Sequence, residues 1–224
     1  MTFVNPQYLV ETDWLADHLD DPDLRIVDCT QYLPNYGDKV EITTVSGREN
    51  YAKGHIPGAA YVDLLGELTD RNQRGMYAPM PSAEQFAAVM SRSGVGEGTR
   101  AVLYDDFLNA YAARVWWMHG APGFPHHYGR PGHIPRSVNV PFLAVVDTNA
   151  NNQFVSADEL AKRFADAGAL TSERVITYCG GGIAASQTAY LLTLLGKDNV
   201  ALYNGSMTEW GADPNLPLVT GAAP

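Results

Sequence analysis

Cys179 is the residue with the clearest potential for chemistry, because three glycines follow it: Gly180, Gly181 and Gly182. Glycine lets the backbone turn tightly, so that successive N–H groups can point at one spot. If a helix begins directly after these glycines, its N-terminus adds partial positive charge. Such an environment stabilises a thiolate and would make this cysteine a nucleophile. The alternative is a buried structural cysteine before a glycine-rich turn, and these four residues alone do not separate the two.

The segments around this cysteine predict a strand and a helix. Residues 175–178 form a short β-branched and aromatic run, which is typical of a buried parallel strand. Residues 184–195 are predicted to form a helix that is stopped by Gly196, and residues 200–203 to form another strand. The cysteine is therefore expected at the C-terminal end of a strand, just before a helix begins.

The chain contains an internal repeat. Residues 100–105 align without a gap with residues 174–179, which places Asp105 opposite the cysteine. Upstream, the motif Gly-His-Ile-Pro at residues 54–57 recurs at residues 132–135. The sequence therefore predicts two related modules in tandem.

Each module is predicted to alternate strands and helices. Ser82 and Ser156 are good helix N-caps, and each has an acid two residues later, where the helix dipole favours it. Gly94 and Gly168 are expected to end these two helices. With a further strand predicted at residues 26–28, the alternation indicates an α/β fold in which helices flank a parallel sheet.

The composition argues against several classes of protein. The chain has 224 residues, 46% of them hydrophobic, and a formal net charge of −10, so binding to the nucleic-acid backbone is not expected. No apolar stretch is long enough to span a bilayer, and the first residues lack the pattern of a signal peptide. We therefore expect a cytoplasmic protein without a membrane partner. Two cysteines and six histidines without metal-ligand spacing predict no metal site.

These motifs resemble those of the tandem rhodanese-like sulfurtransferases. In that family a Gly-His-Ile-Pro motif precedes a cysteine loop at a strand end, and here the motif occurs twice. Residues 111–118 resemble a helix of the family's first domain, and residues 201–210 resemble its last strand and tryptophan turn. The resemblance covers most of residues 5–220. It implies a rhodanese-like sheet in each module, with an inactive first module, where Asp105 replaces the cysteine, and an active second module.

The resemblance also implies covalent sulfur transfer without a cofactor. The Cys179 thiolate would take sulfur from 3-mercaptopyruvate or thiosulfate, form a persulfide and pass the outer sulfur to cyanide or to a thiol, with thioredoxin among the acceptors. The substrate-binding residues implied by the family are Gly180, Gly181, Gly182, Ile183, Ala184, Arg130 and Arg136.

The loop after the cysteine contains no Arg or Lys, which resembles the members that prefer 3-mercaptopyruvate to thiosulfate. In this chain Gly181 and Ala184 stand where those members have Ser and Thr. The hydroxyl-assisted proton relay of the family therefore has no counterpart at this position.

The chain is shorter than the usual two-domain member of the family. Few residues separate Met118 from the second Gly-His-Ile-Pro motif, where the family has a strand, a linker and another strand. We therefore divide the chain into an inactive module, residues 1–120, and a catalytic module, residues 125–224, each expected to lack one strand. Buried backbone groups without partners cost about 1–3 kcal/mol each. The two modules are therefore expected to pool strands into one compact unit, or to borrow strands from a second chain in a homodimer.

Two other functions are open to this sequence. The missing segment favours a non-catalytic rhodanese-like module that binds a partner, whereas the presence of Cys179 argues against it. A related cysteine phosphatase requires an arginine six residues after its cysteine to grip phosphate, but Ala185 occupies that position here.

The remaining reactive or aromatic residues are predicted to be structural. Cys29 is expected to be a buried thiol, the two motif histidines to bond backbone, Arg114 to tie its helix to neighbouring loops, and three tryptophans to pack in cores or interfaces. The histidines and tryptophans concerned are His55, His133, Trp116, Trp117 and Trp210.

Overall fold

The computed structural model of the protein describes residues 2–32, 44–72, 78–118, 133–150 and 152–220. Two short 3-10 helices, Pro6–Tyr8 and Phe142–Val145, accompany the regular elements. The strands are β1 Leu24–Asp28, β2 Gln31–Tyr32, β3 Val45–Ser46, β4 Ala60–Tyr61, β5 Arg100–Tyr104, β6 Val146–Asp147, β7 Gln153–Phe154, β8 Val175–Thr177 and β9 Val200–Leu202. The helices are α1 Thr12–Asp17, α2 Arg48–Lys53, α3 Leu64–Glu67, α4 Ala83–Arg92, α5 Ala110–Met118, α6 Ala157–Asp166, α7 Ile183–Leu194 and α8 Ser206–Ala212.

The first module is built on a parallel sheet of three strands with the order β4-β1-β5. Strand β1 pairs along its whole length with β5, from Leu24 opposite Arg100 to Asp28 opposite Tyr104. The side chain of Val27 in the central strand is completely buried, as expected for a strand with neighbours on both sides. The predicted parallel sheet and its strands at residues 26–28 and 102–104 are confirmed.

In the second module β8 and β9 pair in parallel, from Val175 opposite Val200 to Thr177 opposite Leu202. The prediction that the strand before the cysteine is buried is only partly correct, because the side chain of Ile176 is 58% exposed. Side chains alternate between the faces of a strand, and Thr177 faces α7, where its hydroxyl bonds a helix carbonyl. The side chain of Ile176 points to the opposite face, which the described residues leave open.

The equivalent helices α4 and α6 begin and end as the sequence predicts. The hydroxyls of Ser82 and Ser156 each accept a hydrogen bond from a backbone N–H of the first helical turn. Gly94 and Gly168 follow the two helices with φ angles of +80° and +73°, a left-handed conformation that glycine adopts at little cost. These local signals depend on residues within one turn of each other, which is why the sequence predicted them.

Within the described residues the two modules share a core but not a sheet, which corrects the expectation that they pool strands. The described strands belong to separate sheets, so no strand pairs across the modules within the described residues. Instead α5 of the first module packs against α7 of the second. Leu108, just before α5, is buried among second-module residues such as Leu160 and Phe164. The predicted loss of a strand after α5 concerns residues 119–132, which lie outside the described residues.

The N-terminal segment also packs against the second module. The backbone N–H groups of Val4 and Asn5 both donate to the carbonyl of Leu194 at the end of α7. Trp116 on α5 makes edge contacts with the rings of Tyr8 and Tyr190, which confirms its predicted interface packing. The segment therefore links the beginning of the chain to its last third.

Among the described residues no helix is both long and apolar enough to cross a bilayer. The same part of the chain contains no cluster of three His, Cys, Asp or Glu side chains with the geometry to hold a metal ion.

Candidate active site

Cys179 lies where the sequence predicted it, in the turn between β8 and α7. Its side chain is partly exposed, and its Sγ accepts a hydrogen bond from the N–H of Gly182 at 3.1 Å. The backbone N–H of Cys179 donates to Ser206 Oγ at 3.0 Å, which fixes the residue from the other side. An N–H donor at the head of a twelve-residue helix is suited to a sulfur anion.

The carbonyls of the cysteine loop are bound by α8. The N–H of Met207 donates to the carbonyl of Cys179, and the N–H of Thr208 donates to the carbonyl of Gly180, both at 3.1 Å. These N–H groups belong to the first turn of α8, where they have no partner within the helix. The conformation of the loop is therefore held by three elements, β8, α7 and α8.

Any side chain at Gly182 would strain the cysteine loop. Its φ is +86°, and a Cβ added there would lie 2.8 Å from both the carbonyl oxygen and the side-chain oxygen of Asn204. The prediction that glycine permits a tight turn here is confirmed at this position. Without a side chain, Gly182 brings its N–H to the sulfur while its other side packs on Asn204.

Arg114 enters this site from α5 of the first module. Its side chain is completely buried, its Nη2 donates to the carbonyl of Ala78 at 3.0 Å, and its Nη1 donates to Oδ1 of Asn204. The same Nη1 lies 3.3 Å from the Cβ position at Gly182. Burial lowers the pKa of Arg114 to about 10, while the negative charge of Cys179 opposes that change.

The sequence assigned Arg114 a structural role, and the structure adds that its contacts reach the cysteine loop. A signal for this was present in the sequence: Arg114 is the only charged residue in a helix otherwise made of apolar side chains. A charge in such a helix needs a buried partner, but the pattern does not say which one.

The equivalent position of the first module holds Asp105, whose carboxylate accepts hydrogen bonds from four backbone N–H groups. Oδ1 accepts from Phe107 and Asn109, and Oδ2 accepts from Tyr111 and Ala112, at 2.8–3.1 Å. Burial raises the pKa of Asp105 to about 7, and these four N–H groups act against the rise. The anion-binding turn of the first module is thus filled by its own carboxylate and contains no thiol.

The two Gly-His-Ile-Pro motifs make the same contact in both modules. The N–H of Ile134 donates to the hydroxyl of Tyr178, next to the cysteine, and the N–H of Ile56 donates to the hydroxyl of Tyr104. The repeat seen in the sequence is therefore a repeat in structure. Each motif supports the tyrosine that precedes the turn in which Asp105 or Cys179 lies.

Of the two arginines predicted to bind substrate, the structure describes Arg136 and not Arg130, and the substrate-binding role of both stays a prediction. Arg136 is exposed and adopts a φ of +67°, close to the +78° of Gly58, which it replaces in the repeat. It therefore keeps the turn of the motif at some conformational cost. Arg130 lies outside the described residues, so its role stays a prediction.

Cys29 and the side chain of His55 are placed as predicted, the side-chain role of His133 stays a prediction, and the side chain of Trp117 lies outside the described residues. Nδ1 of His55 lies 2.8 Å from the carbonyl oxygen of Tyr51, and the backbone N–H of His133 bonds the carbonyl of Val219. Cys29 is fully buried, and burial, followed by the charges of Asp105 and Asp28, raises the pKa of its thiol well above the usual value. The Trp210 Nε1 donates to the carbonyl of Pro217.

A cavity that the sequence did not predict lies at the C-terminal edge of the first module's sheet. Its volume is about 400 Å³, and Asp28, His55, Tyr104 and Asp106 are among its lining residues. The carboxyl ends of parallel strands meet at this edge, which is where α/β modules form clefts. Gly54, His55 and Ile56 of the first Gly-His-Ile-Pro motif line it, together with residues that only the fold brings beside that motif, such as Asp28 and Tyr104.

The second module is a parallel α/β unit that presents a cysteine in a glycine turn at a helix N-terminus. The related first module has Asp105 at the equivalent position. The fold and the site therefore define a protein of two related modules with a single cysteine loop of this kind among the described residues. The family model of the rhodanese-like domain matches residues 11–129 and again residues 123–213. The chain belongs to the rhodanese-like family. The expected α/β fold with two related modules is thereby confirmed.

The relatives of this chain include several proteins named as sulfurtransferases. The chain is 25% identical to a 3-mercaptopyruvate sulfurtransferase of Escherichia coli K12, over 94% of this chain and 97% of that protein. It is 28% identical to thiosulfate/3-mercaptopyruvate sulfurtransferase 2 of Arabidopsis thaliana, over 94% of this chain and 86% of that one. The crystal structure of SseA from Escherichia coli, described as a 3-mercaptopyruvate sulfotransferase, superimposes with a TM-score of 0.71 at 25% identity, covering 89% and 98% of the two chains.

These comparisons also bear on length. The alignment with the Escherichia coli protein runs over 284 positions, more than the 224 residues of this chain. The relative therefore contains segments that this chain lacks, in agreement with the predicted shortening.

Proposed function

We propose that this protein is a sulfurtransferase that carries sulfur as a persulfide on Cys179, with 3-mercaptopyruvate or thiosulfate as the donor. The observation that carries the proposal is the hydrogen bond from the N–H of Gly182 to Cys179 Sγ at the head of α7. The site therefore provides a partly exposed sulfur together with a fixed donor for its anionic form. The relatives' names support the same class of reaction.

In the first half-reaction the Cys179 thiolate attacks the sulfur of the donor. With 3-mercaptopyruvate the C–S bond breaks, the carbon takes the electron pair, and the proton of the mercapto group ends on that carbon to give pyruvate. With thiosulfate the S–S bond breaks and sulfite leaves. In both cases the product on the enzyme is the anion Cys–S–S⁻, which the same N–H donor stabilises.

In the second half-reaction an acceptor attacks the outer sulfur of the persulfide. A thiolate acceptor becomes a persulfide, or cyanide becomes thiocyanate, and Cys179 leaves as a thiolate ready for another cycle. The acceptors proposed are small thiols, cyanide and protein thiols such as thioredoxin. Two unpaired cysteines suit a reducing compartment, and a cytoplasmic location is part of this proposal.

The donor is expected to be 3-mercaptopyruvate rather than thiosulfate. Residues 180–185 contain no cation, so the loop itself offers no charge to pair with a dianion. The donor carboxylate would be bound by Arg130 or Arg136, both of which lie outside that loop in sequence. The hydroxyl relay of related enzymes has no counterpart, because Gly181 and Ala184 lack hydroxyls.

Steady-state rates with the two donors side by side, with cyanide as acceptor and thiocyanate detected, test this proposal. We expect turnover with both and the higher kcat/KM with 3-mercaptopyruvate. A clear preference for thiosulfate would contradict the donor assignment and indicate that Arg130 or Arg136 reaches the loop. No thiocyanate with either donor would favour the non-catalytic binding module instead.

A further inference from the structure

Arg114 belongs to the first module, whose turn holds Asp105 in place of the cysteine, yet its guanidinium lies against the cysteine loop of the other module. Nη1 donates to Asn204 Oδ1 and lies 3.3 Å from the Cβ position at Gly182. The N–H of Gly182 in turn donates to Cys179 Sγ at 3.1 Å. The buried guanidinium of Arg114 therefore lies next to Gly182, the residue whose N–H bonds the sulfur.

Among the described residues no carboxylate pairs with the charge of Arg114. The ion pairs of the described residues do not include Arg114, and its two described hydrogen-bond acceptors are neutral amide oxygens, from Asn204 and Ala78. Its Nε is buried, and no group in the described part of the chain forms a hydrogen bond with it. Leaving a buried charge unpaired is costly, so a nearby anion would relieve this cost. Cys179 is the group whose negative charge acts on Arg114 in that direction.

We propose that Arg114 is a positioning residue for sulfur transfer: through Asn204 it fixes the turn at Gly182, and its buried charge favours the anionic forms of Cys179. This inference rests on the proposed role of Cys179 as the sulfur carrier. Both the thiolate and the persulfide are anions, so one fixed cation stabilises the two states between which the enzyme cycles. The first module thus contributes to the reaction although its own turn holds Asp105.

Gln187 provides a matched control, because it makes a hydrogen bond from the second module to the first, as Arg114 does from the first to the second. On α7 the Nε2 of Gln187 donates to the carbonyl of Leu108, in the turn that follows Asp105. This bond crosses the same interface from the opposite side and carries no net charge. Gln187→Met therefore removes a buried cross-module contact without changing the charge near Cys179.

The experiment measures the rate of alkylation of Cys179 by iodoacetamide as a function of pH, with the modified residue identified by mass spectrometry. We expect Arg114→Met to raise the midpoint of the alkylation profile by about one pH unit and to lower sulfur transfer. Arg114→Lys should restore most of the midpoint, because it keeps the charge. Gln187→Met should keep the wild-type midpoint. Circular dichroism and thermal unfolding establish that each variant is folded.

The alkylation readout needs no sulfur donor, so it separates this inference from the proposed function. Failure of the wild type to form a persulfide would contradict the proposed function and leave the alkylation profile measurable. The other titratable groups on the elements around the loop are the same in every variant: Asp105, Tyr178, Tyr203 and Glu209.

Two results would overturn the inference. One is a folded Arg114→Met variant whose alkylation midpoint equals that of the wild type. The other can be measured even if that variant does not fold: a wild-type midpoint at or above the value of an ordinary cysteine thiol, about 8.5.

Discussion

The two cysteines of this protein have the same side chain and opposite surroundings. Cys179 is partly exposed and accepts an N–H bond at the head of a helix. Cys29 is completely buried, and the acidic groups Asp105 and Asp28 lie close enough to disfavour its thiolate. Because the thiolate is the reactive form, the environment and not the residue type decides which of the two cysteines is suited to be a nucleophile.

Cys179→Ser is expected to abolish sulfur transfer and to leave the fold intact, because a serine hydroxyl does not ionise near neutral pH and has nearly the shape of the thiol. Mass spectrometry after treatment with donor should show one added sulfur on the wild type, at Cys179. The added sulfur on Cys29 instead would show that the site is wrongly assigned. Cys29→Ala serves as the control and should still accept sulfur.

Cys29 is expected to resist alkylation in the folded protein. Burial raises the pKa of its thiol, so the thiolate stays rare at mildly alkaline pH, and the surrounding core excludes the reagent. Treatment with iodoacetamide should modify one cysteine in the native chain and both in concentrated guanidinium chloride, as counted by peptide mass spectrometry. Rapid native labelling of Cys29 would mean that the first module opens readily.

At the scale of elements, the site depends on how β8, α7 and α8 meet around one turn. Gly182 has a left-handed backbone and touches Asn204 on the side where a Cβ would lie. Gly168, after α6, has a similar φ of +73° but open space around its Cβ position. Alanine at Gly168 would therefore cost only the left-handed backbone conformation, whereas alanine at Gly182 would also displace residues of the site.

Gly182→Ala is expected to lower sulfur transfer at least tenfold, because the added methyl group would displace Asn204 or the turn that aims the N–H at Cys179. Gly168→Ala should lower the free energy of unfolding by about 1–2 kcal/mol, the cost of a left-handed residue with a side chain, and keep full activity. Activity assays and chemical denaturation measure the two effects. Equal activity in both variants would show that the turn at Gly182 tolerates displacement.

At the scale of the whole molecule, the modules form a common core through helices and loops. Leu108 and the N-terminal residues Phe3 and Leu9 pack against the core of the second module. Polar contacts follow the same interface, with Arg114 bonded to Asn204 and Gln187 bonded to Leu108. A module separated from its partner would expose these apolar side chains and leave these polar groups unpaired.

A fragment of residues 125–224 is expected to be insoluble or molten, even though it contains Cys179 and the whole glycine loop. The full chain should unfold in one cooperative step, measured by circular dichroism and fluorescence. Co-expression with residues 1–124 should restore solubility, because the missing half of the core is supplied. A 125–224 fragment that is soluble, monomeric and sharply melting would contradict the shared core.

The sequence by itself determined the features that depend on a few neighbouring residues. The cysteine turn, the caps at Ser82 and Ser156 and the glycine helix ends follow from backbone geometry within one or two turns of chain. The repeat located Asp105 opposite Cys179, since an ungapped alignment needs no knowledge of packing. Only the tertiary structure decided that the modules share side chains rather than strands, that Ile176 is exposed and that Arg114 reaches the cysteine loop. Arg114 and Asn204 are 90 residues apart in the sequence. Because burying a charge is costly, the sequence indicates that Arg114 needs polar partners. Only the packing of α5 against α7 decides that Asn204 is one of them.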